Sequence, residues 1–242
     1  MNILDYVRIE TSTKDDGNMA YDKGKRDKVF HNRKVFFRNS NMNYDNTYEI
    51  ISNHNVFNKV KIVRGTPKQI ALVKDVDALI TNNKDIVLAL CTADCLQITA
   101  FDKENEVLAL IHSGFRWQDA GIIDKTFEIM KEKFNTRMED VLIHLGNCVS
   151  EDKYRWDENI LNVTHEESWI RKTITKDDDP EHPYVINLRK AAILNLKDIG
   201  LKDENILDTG IDCYTNNQYF SHVRSVYTDD KDGRHVTLVQ MK

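Results

Sequence analysis

Between residues 91 and 122 the chain reads CTADCLQITAFDKENEVLALIHSGFRWQDAGI, and a Cys, a His, an Asp and an Arg stand there among apolar runs that have little use for them. Two such runs flank the charged turn Asp102-Lys103-Glu104-Asn105, which predicts a β-hairpin. A turn of those four residues faces Phe101 with Glu106 and, counting outward, Cys95 with His112. Opposed residues of an antiparallel pair have Cβ atoms about 4.5–5.5 Å apart, close enough for a thiolate and an imidazole to share one metal ion or one proton. Cys95, His112 and the adjoining Asp94 are therefore candidates for a reacting cluster.

The turn after His112 adds a second kind of chemistry. His112-Ser113-Gly114 ends a strand, and a helix is expected over 118–134, with Ile122, Ile123, Phe127, Met130 and Phe134 on one stripe. A glycine turn into a helix leaves backbone N–H groups and a positive helix end beside His112, which suits an anion such as phosphate; a plain connection is the competing reading. The four cysteines, at 91, 95, 148 and 213, fit free thiols in a reducing compartment, and each alone is as well explained as a small buried hydrophobe. His165-Glu166-Glu167 lacks the second histidine of a zincin, Asp229-Asp230-Lys231-Asp232-Gly233 has no room for a calcium loop's bidentate Glu, and Asp177-Asp178-Asp179 is a solvated loop. No P-loop, dinucleotide fingerprint or nucleophile elbow is present.

The elements that must position these residues follow from periodicity. A short helix is expected over 29–38, strands over 60–63, 77–81, 86–92 and 141–145, helices over 157–169 and 187–199, and a final strand over 236–241. Strands and helices mingle without strict βαβ rhythm, so the class is α+β with mixed sheets in a single domain, 1–242. The chain of 242 residues is 40% apolar with a net charge of −5, and its charges are interspersed. That predicts small-molecule partners, no nucleic-acid track, no membrane span and a cytoplasmic location.

Thr92-Ala93-Asp94-Cys95 followed by His112-Ser113-Gly114-Phe115-Arg116 resembles the TADC and HAGWRG motifs of the laccase-domain family, first called multicopper polyphenol oxidases and now described as purine nucleoside phosphorylases. Asn18-Met19, Asn32-Arg33, Asp77-Ala78-Leu79-Ile80-Thr81, Gly146-Asn147-Cys148-Val149 with Tyr154, and Phe220-Ser221-His222-Val223-Arg224 with Gly233-Arg234 extend the resemblance in order. It implies a single compact domain with mixed β-sheets packed between helical layers, similar to deamidating toxins. It also implies phosphorolysis of adenosine- or inosine-like nucleosides with phosphate as co-substrate, adenosine deaminase as a side activity, and a zinc ion held by a Cys and two His.

This chain departs from the pattern. Ile62-Val63-Arg64-Gly65 aligns with the QVHG strand end, which sets Arg64 where the first metal histidine belongs and leaves Cys95 and His112 as metal ligands. Phe115 replaces the motif tryptophan, Trp117 the glycine after the arginine, Asn147 the proline of GP, and Val223 the first arginine of the SYRR pair. An arginine cannot ligate zinc and attracts anions. The expectation is thus an enzyme with Cys95, His112 and Asp94 as reacting groups, Arg64 and Arg224 binding phosphate, and zinc weakly held or absent. The alternative is a non-catalytic relative that binds a nucleoside or a protein partner. Two ligand-type residues beside an arginine make a poor copper site, so a polyphenol oxidase is less favoured.

Overall fold

Strands that are apolar on both faces need cover on both sides, and the computed structural model, which describes residues 2–242, supplies it in four layers. The strands are β1 (Val7–Thr11), β2 (Thr47–Ile51), β3 (Val60–Ile62), β4 (Ala71–Lys74), β5 (Ala78–Thr81), β6 (Val87–Thr92), β7 (Leu96–Asp102), β8 (Val107–Ser113), β9 (Val141–Leu145), β10 (Arg155–Trp156), β11 (Thr175–Lys176), β12 (Tyr184–Val185), β13 (Ile206–Asp208) and β14 (His235–Met241). The α-helices are α1 (Arg26–Asn39), α2 (Phe115–Asp119), α3 (Ile122–Phe134), α4 (Ile160–Val163), α5 (Trp169–Thr173), α6 (Leu188–Asp198) and α7 (His222–Tyr227).

One sheet has the order β1-β14-β6-β2-β4 and the other β13-β9-β7-β8-β5-β3, while β10-β12-β11 form a small third sheet. Alternation along β6 shows how the layers stack. Val87 and Ala89 join Phe36 and Phe37 of α1 on the outer face, and Leu88 and Leu90 meet Leu108, Leu110 and Phe101 of the second sheet on the inner face. The far face of the second sheet carries Ile98, Ala109 and Ile111 against Ile123, Phe127 and Met130 of α3 and Ala192 and Leu196 of α6. The expected α+β architecture, with mixed sheets between helical layers, is present. None of the described helices is long and apolar enough to cross a membrane.

Four local expectations are corrected. The hairpin pairs Leu96 with Ser113, Gln97 with His112 and Asp102 with Val107, so Gln97, not Cys95, faces His112. The cause is the turn: Asp102 Oδ1 accepts from the amides of Glu104 and Asn105, and Glu106 takes a left-handed backbone (φ 51), so pairing starts one residue later. The register moves by an even step and every side chain keeps its face. The helix expected over 118–134 is two helices, α2 and α3, broken at Gly121 (φ 79). The helix expected over 157–169 is only α4 and α5. Between them Asp119 receives the His165 amide (3.0 Å) and the Ser168 hydroxyl (2.6 Å), and Ser168 caps α5. Finally, β2 was not expected, although it lies inside the first sheet and is parallel to β6.

The first sheet and α1 are tied by Arg33 and Glu49, a salt bridge whose side chains are 1% and 2% exposed, with Arg33 Nη1 also donating to Met19 O at 2.8 Å. Removing one partner strands the other charge in the core. Arg33→Met should therefore cost about 3–5 kcal/mol in urea unfolding, and adding Glu49→Leu should recover much of it. A loss under about 1 kcal/mol for the single variant would show the pair to be solvated.

Candidate active site

The chemistry gathers where strand ends from both sheets meet. β2 and β6 run parallel, so their C-terminal ends share one edge of the first sheet, and β6 leads through Thr92-Ala93-Asp94-Cys95 into β7 of the second. The C-terminal end of β8 lies beside the start of β7. Ser52, His54, Asp94, Cys95 and His112 all stand at these ends.

Asp94 is 7% exposed and sits at the N-terminus of α7, where its Oδ2 accepts from the Val223 amide at 2.8 Å. Burial pushes its carboxyl up from the usual range, against the Ser221 hydroxyl and the α7 amides, and Oδ1 has no hydrogen-bond partner. Cys95 is half-buried, with its thiol pushed up to about 12 by desolvation and by Asp94, while Arg234 pulls the other way. At neutral pH it is a thiol, not a poised thiolate nucleophile.

His112 is 8% exposed, and burial together with His54 lowers its pKa to about 3, so the ring is neutral. Ser52 Oγ lies 2.8 Å from Nδ1 and donates its own proton to Val76 O at 3.2 Å. The serine oxygen therefore accepts from Nδ1–H, which assigns the lone pair to Nε2. Asp77, fully buried, lies behind this contact. Its carboxyl pKa is raised by desolvation and partly offset by the Lys59 amide, which donates to Oδ2 at 3.1 Å. Trp117 stacks on His112 with centroids 4.1 Å apart at 30°, and on its other contacts reaches His54 at 5.4 Å and Phe57 at 5.9 Å.

Behind the loop, His235 Nε2 lies 3.1 Å from Thr92 Oγ1 and 3.2 Å from Asn147 Nδ2, and Gln97 Nε2 donates to the Cys95 carbonyl at 3.1 Å. His235 is fully buried and its pKa is lowered to about 3 by desolvation and Arg234. This network holds the loop from below.

Both expected phosphate arginines are elsewhere occupied. β3 runs parallel to β5, which is antiparallel to β8, so Arg64 follows the end of β3 remote from His112, and its guanidinium lies 5.5 Å over Phe134 at the end of α3. Arg64 thus lies away from His112, whereas His54, just past β2, stands beside Trp117 at 5.4 Å between ring centroids and its charge acts on His112. Arg224 is 6% exposed, and its fork is filled: Nε donates to Asp230 (2.6 Å), Nη1 to the carbonyls of Cys213 and Tyr214 (2.6 Å each), and Nη2 to that of Tyr219 (2.5 Å). It ties α7 to the preceding loop. The cations whose charge reaches this region are Arg116, exposed on α2, which acts on half-buried Tyr154, and Arg234, which acts on Cys95. Their signal was in the motifs themselves, as the arginines of HSGFR and of Gly233-Arg234. His54 and Ser52 lay in a polar stretch without one.

The zinc ion that the motif resemblance implies does not fit these residues as they stand. His54, Cys95 and His112 are the available donors, yet no three His, Cys, Asp or Glu side chains among the described residues converge to hold a metal. Gly114 locates the obstacle, because a Cβ there would come 2.7 Å from Cys95 Sγ and 2.8 Å from Trp117 Cε3. The thiol and the indole edge thus crowd the same space.

A four-layer α+β fold with a TADC crossover loop and a histidine on the neighbouring strand end defines a laccase-like domain. The family described as multi-copper polyphenol oxidoreductase laccase matches residues 9–242, and the chain belongs to it. It is 30% identical over 113 residues to a purine nucleoside phosphorylase of Bacteroides thetaiotaomicron, covering 46% of this chain and 42% of that one. To the purine nucleoside phosphorylase YlmD of Bacillus subtilis it is 24% identical over 181 residues, covering 74% of this chain and 63% of that one. The matched stretches thus span less than two thirds of these relatives. The crystal structure of YlmD from Geobacillus stearothermophilus superposes with a TM-score of 0.82 at 19% identity, over 98% of this chain and 92% of that one, which establishes the shared fold.

The buried imidazoles set an acid limit. His112 and His235, near 3, and His144, near 4, stay neutral in the native chain, while the unfolded chain protonates them below about 6.5. The native state then binds fewer protons, so these residues contribute stability that is present above about 6.5 and is lost as pH falls toward 3. His235→Asn should flatten the stability–pH curve between 6.5 and 4 by up to about 1.4 kcal/mol per pH unit. Parallel curves for the two proteins in urea titrations would show His235 to be solvated.

Proposed function

We propose that this chain cleaves a purine nucleoside with phosphate, giving the free base and ribose 1-phosphate. The observation that carries the reading is a raised, singly unpartnered Asp94 carboxyl beside Cys95, with the charge of Arg234 acting on that thiol and the charge of Arg116 acting on Tyr154, which Asp94 and Cys95 also influence. The family membership and the names of the relatives support it.

In this reading Arg116 and Arg234 hold phosphate against C1′ of the ribose. A phosphate oxygen forms the new bond to C1′ as the C1′–N9 bond breaks, and the electron pair leaves with the purine. Asp94, whose carboxyl burial raises toward the protonated form, gives a proton to the leaving base. Monohydrogen phosphate brings one proton, which returns to Asp94 and closes the count. His112, neutral and with Nε2 as an acceptor, orients a phosphate or ribose hydroxyl. Cys95, a thiol at working pH, lines the pocket and is not the nucleophile. Deamination of adenosine, which requires an activated water, is no part of this mechanism.

Purified protein incubated with adenosine, inosine or guanosine should release base only when phosphate is present, as read by chromatography. Arg116→Ala should raise the apparent KM for phosphate about tenfold or more while nucleoside binding changes little, since it removes a charge-assisted contact to the anion alone. Inosine formed from adenosine without phosphate would overturn the reading. Tight nucleoside binding with no turnover would make the chain a non-catalytic binder.

A further inference from the structure

Trp117 stands where the HAGWRG pattern has its last glycine, and it packs against two of the prospective zinc donors, His112 and His54, and borders the space that Cys95 Sγ enters. Its ring is stacked on His112 at 4.1 Å, lies 5.4 Å from His54, and shares with Cys95 Sγ the space above Gly114. At 4% exposure, with Phe57 against it at 5.9 Å, the indole is wedged in place. Zinc takes sulfur at about 2.3 Å and imidazole nitrogen at about 2.0–2.1 Å, so its donors must close to within about 4 Å of one another. Aromatic carbons keep neighbours about 3.5–4.0 Å away. With the indole stacked on His112 and set beside His54, the three donors do not converge on one point in this structure.

We propose that Trp117 replaces the metal as the group around which His54, Cys95 and His112 pack, and that this chain is a metal-independent branch whose zinc site reopens when position 117 is made small. The inference concerns metal uptake alone and does not depend on phosphorolysis. It explains how all three donor types persist without converging.

Cobalt and zinc report the outcome. The wild-type chain titrated with zinc against a chromophoric chelator should show no tight uptake. Trp117→Gly should bind one equivalent about a hundredfold more tightly than wild type. With cobalt it should show the near-ultraviolet charge-transfer band of a cobalt–thiolate bond, and that band should vanish in the Trp117→Gly, Cys95→Ala double variant. Trp117→Ala serves as a second opening variant should the glycine variant lose its far-ultraviolet helix signal. Tight stoichiometric zinc in the wild type that is lost in His112→Ala overturns the proposal. So does a folded Trp117→Gly or Trp117→Ala protein that takes up none.

Discussion

Everything at the site depends on how Thr92 to Cys95 crosses from one sheet to the other. Stacked sheets lie about 10 Å apart, so a chain that leaves β6 and enters β7 must pass through the seam with its peptide groups out of water. Such groups need partners, and the fold supplies them from four directions. The Val149 amide takes the Asp94 carbonyl (3.0 Å), Gln97 takes the Cys95 carbonyl (3.1 Å), α7 receives the Asp94 carboxylate (2.8 Å to the Val223 amide), and His235 takes Thr92 (3.1 Å). The loop is thereby rigid, and the residues on it are presented at the seam rather than on a mobile surface.

The same burial decides the protonation states. Desolvation raises acids and thiols and lowers imidazoles, and each group here moves in that direction: Asp94 and Cys95 up, His112 and His235 down. Cys95, His112 and His235 are thus uncharged at neutral pH, which leaves the positive charge to the arginines. Among those, accessibility of the fork decides the role. Arg224 and Arg33 are spent on carbonyls and carboxylates, whereas Arg116 has no carboxylate partner among the described residues. Arg234 spends one nitrogen on Asp232.

The architecture was legible because it rests on strong periodic signals: the strands of the β7–β8 hairpin, though not their register, the apolar stripe of α3 and the buried run of β6 lie where the pattern sets them. The motifs set Asp94, Cys95 and His112 on neighbouring strand ends, and the strands that carry them do adjoin there. The motif pattern failed at Arg64 and His54. Ile62-Val63-Arg64-Gly65 has the form of a strand end with a turn, and nothing local distinguishes it from Ile51-Ser52-Asn53-His54. Only strand direction does, since β2 ends at the seam and β3 ends at the opposite edge of its sheet. Arg224 failed differently, because a motif arginine reads the same whether its fork faces a ligand or four backbone and carboxylate oxygens.

Positions 114 and 117 act as one unit, three residues apart across the first turn of α2. Gly114 has an ordinary extended backbone (φ −76, ψ 170), so nothing in its own conformation demands glycine. The demand comes from its neighbours, since any Cβ would come within 3.0 Å of both the Cys95 sulfur and the Trp117 ring. An indole at 117 fills the seam from the helix side, and Cys95 fills it from the crossover side. In the motif pattern, with glycine at 117, that volume is open beside the cysteine. The exchange of one glycine for tryptophan therefore changes the contents of the seam while the crossover loop and its partners keep the donors in place, which is how a single helix position alters a site without altering the fold that carries it.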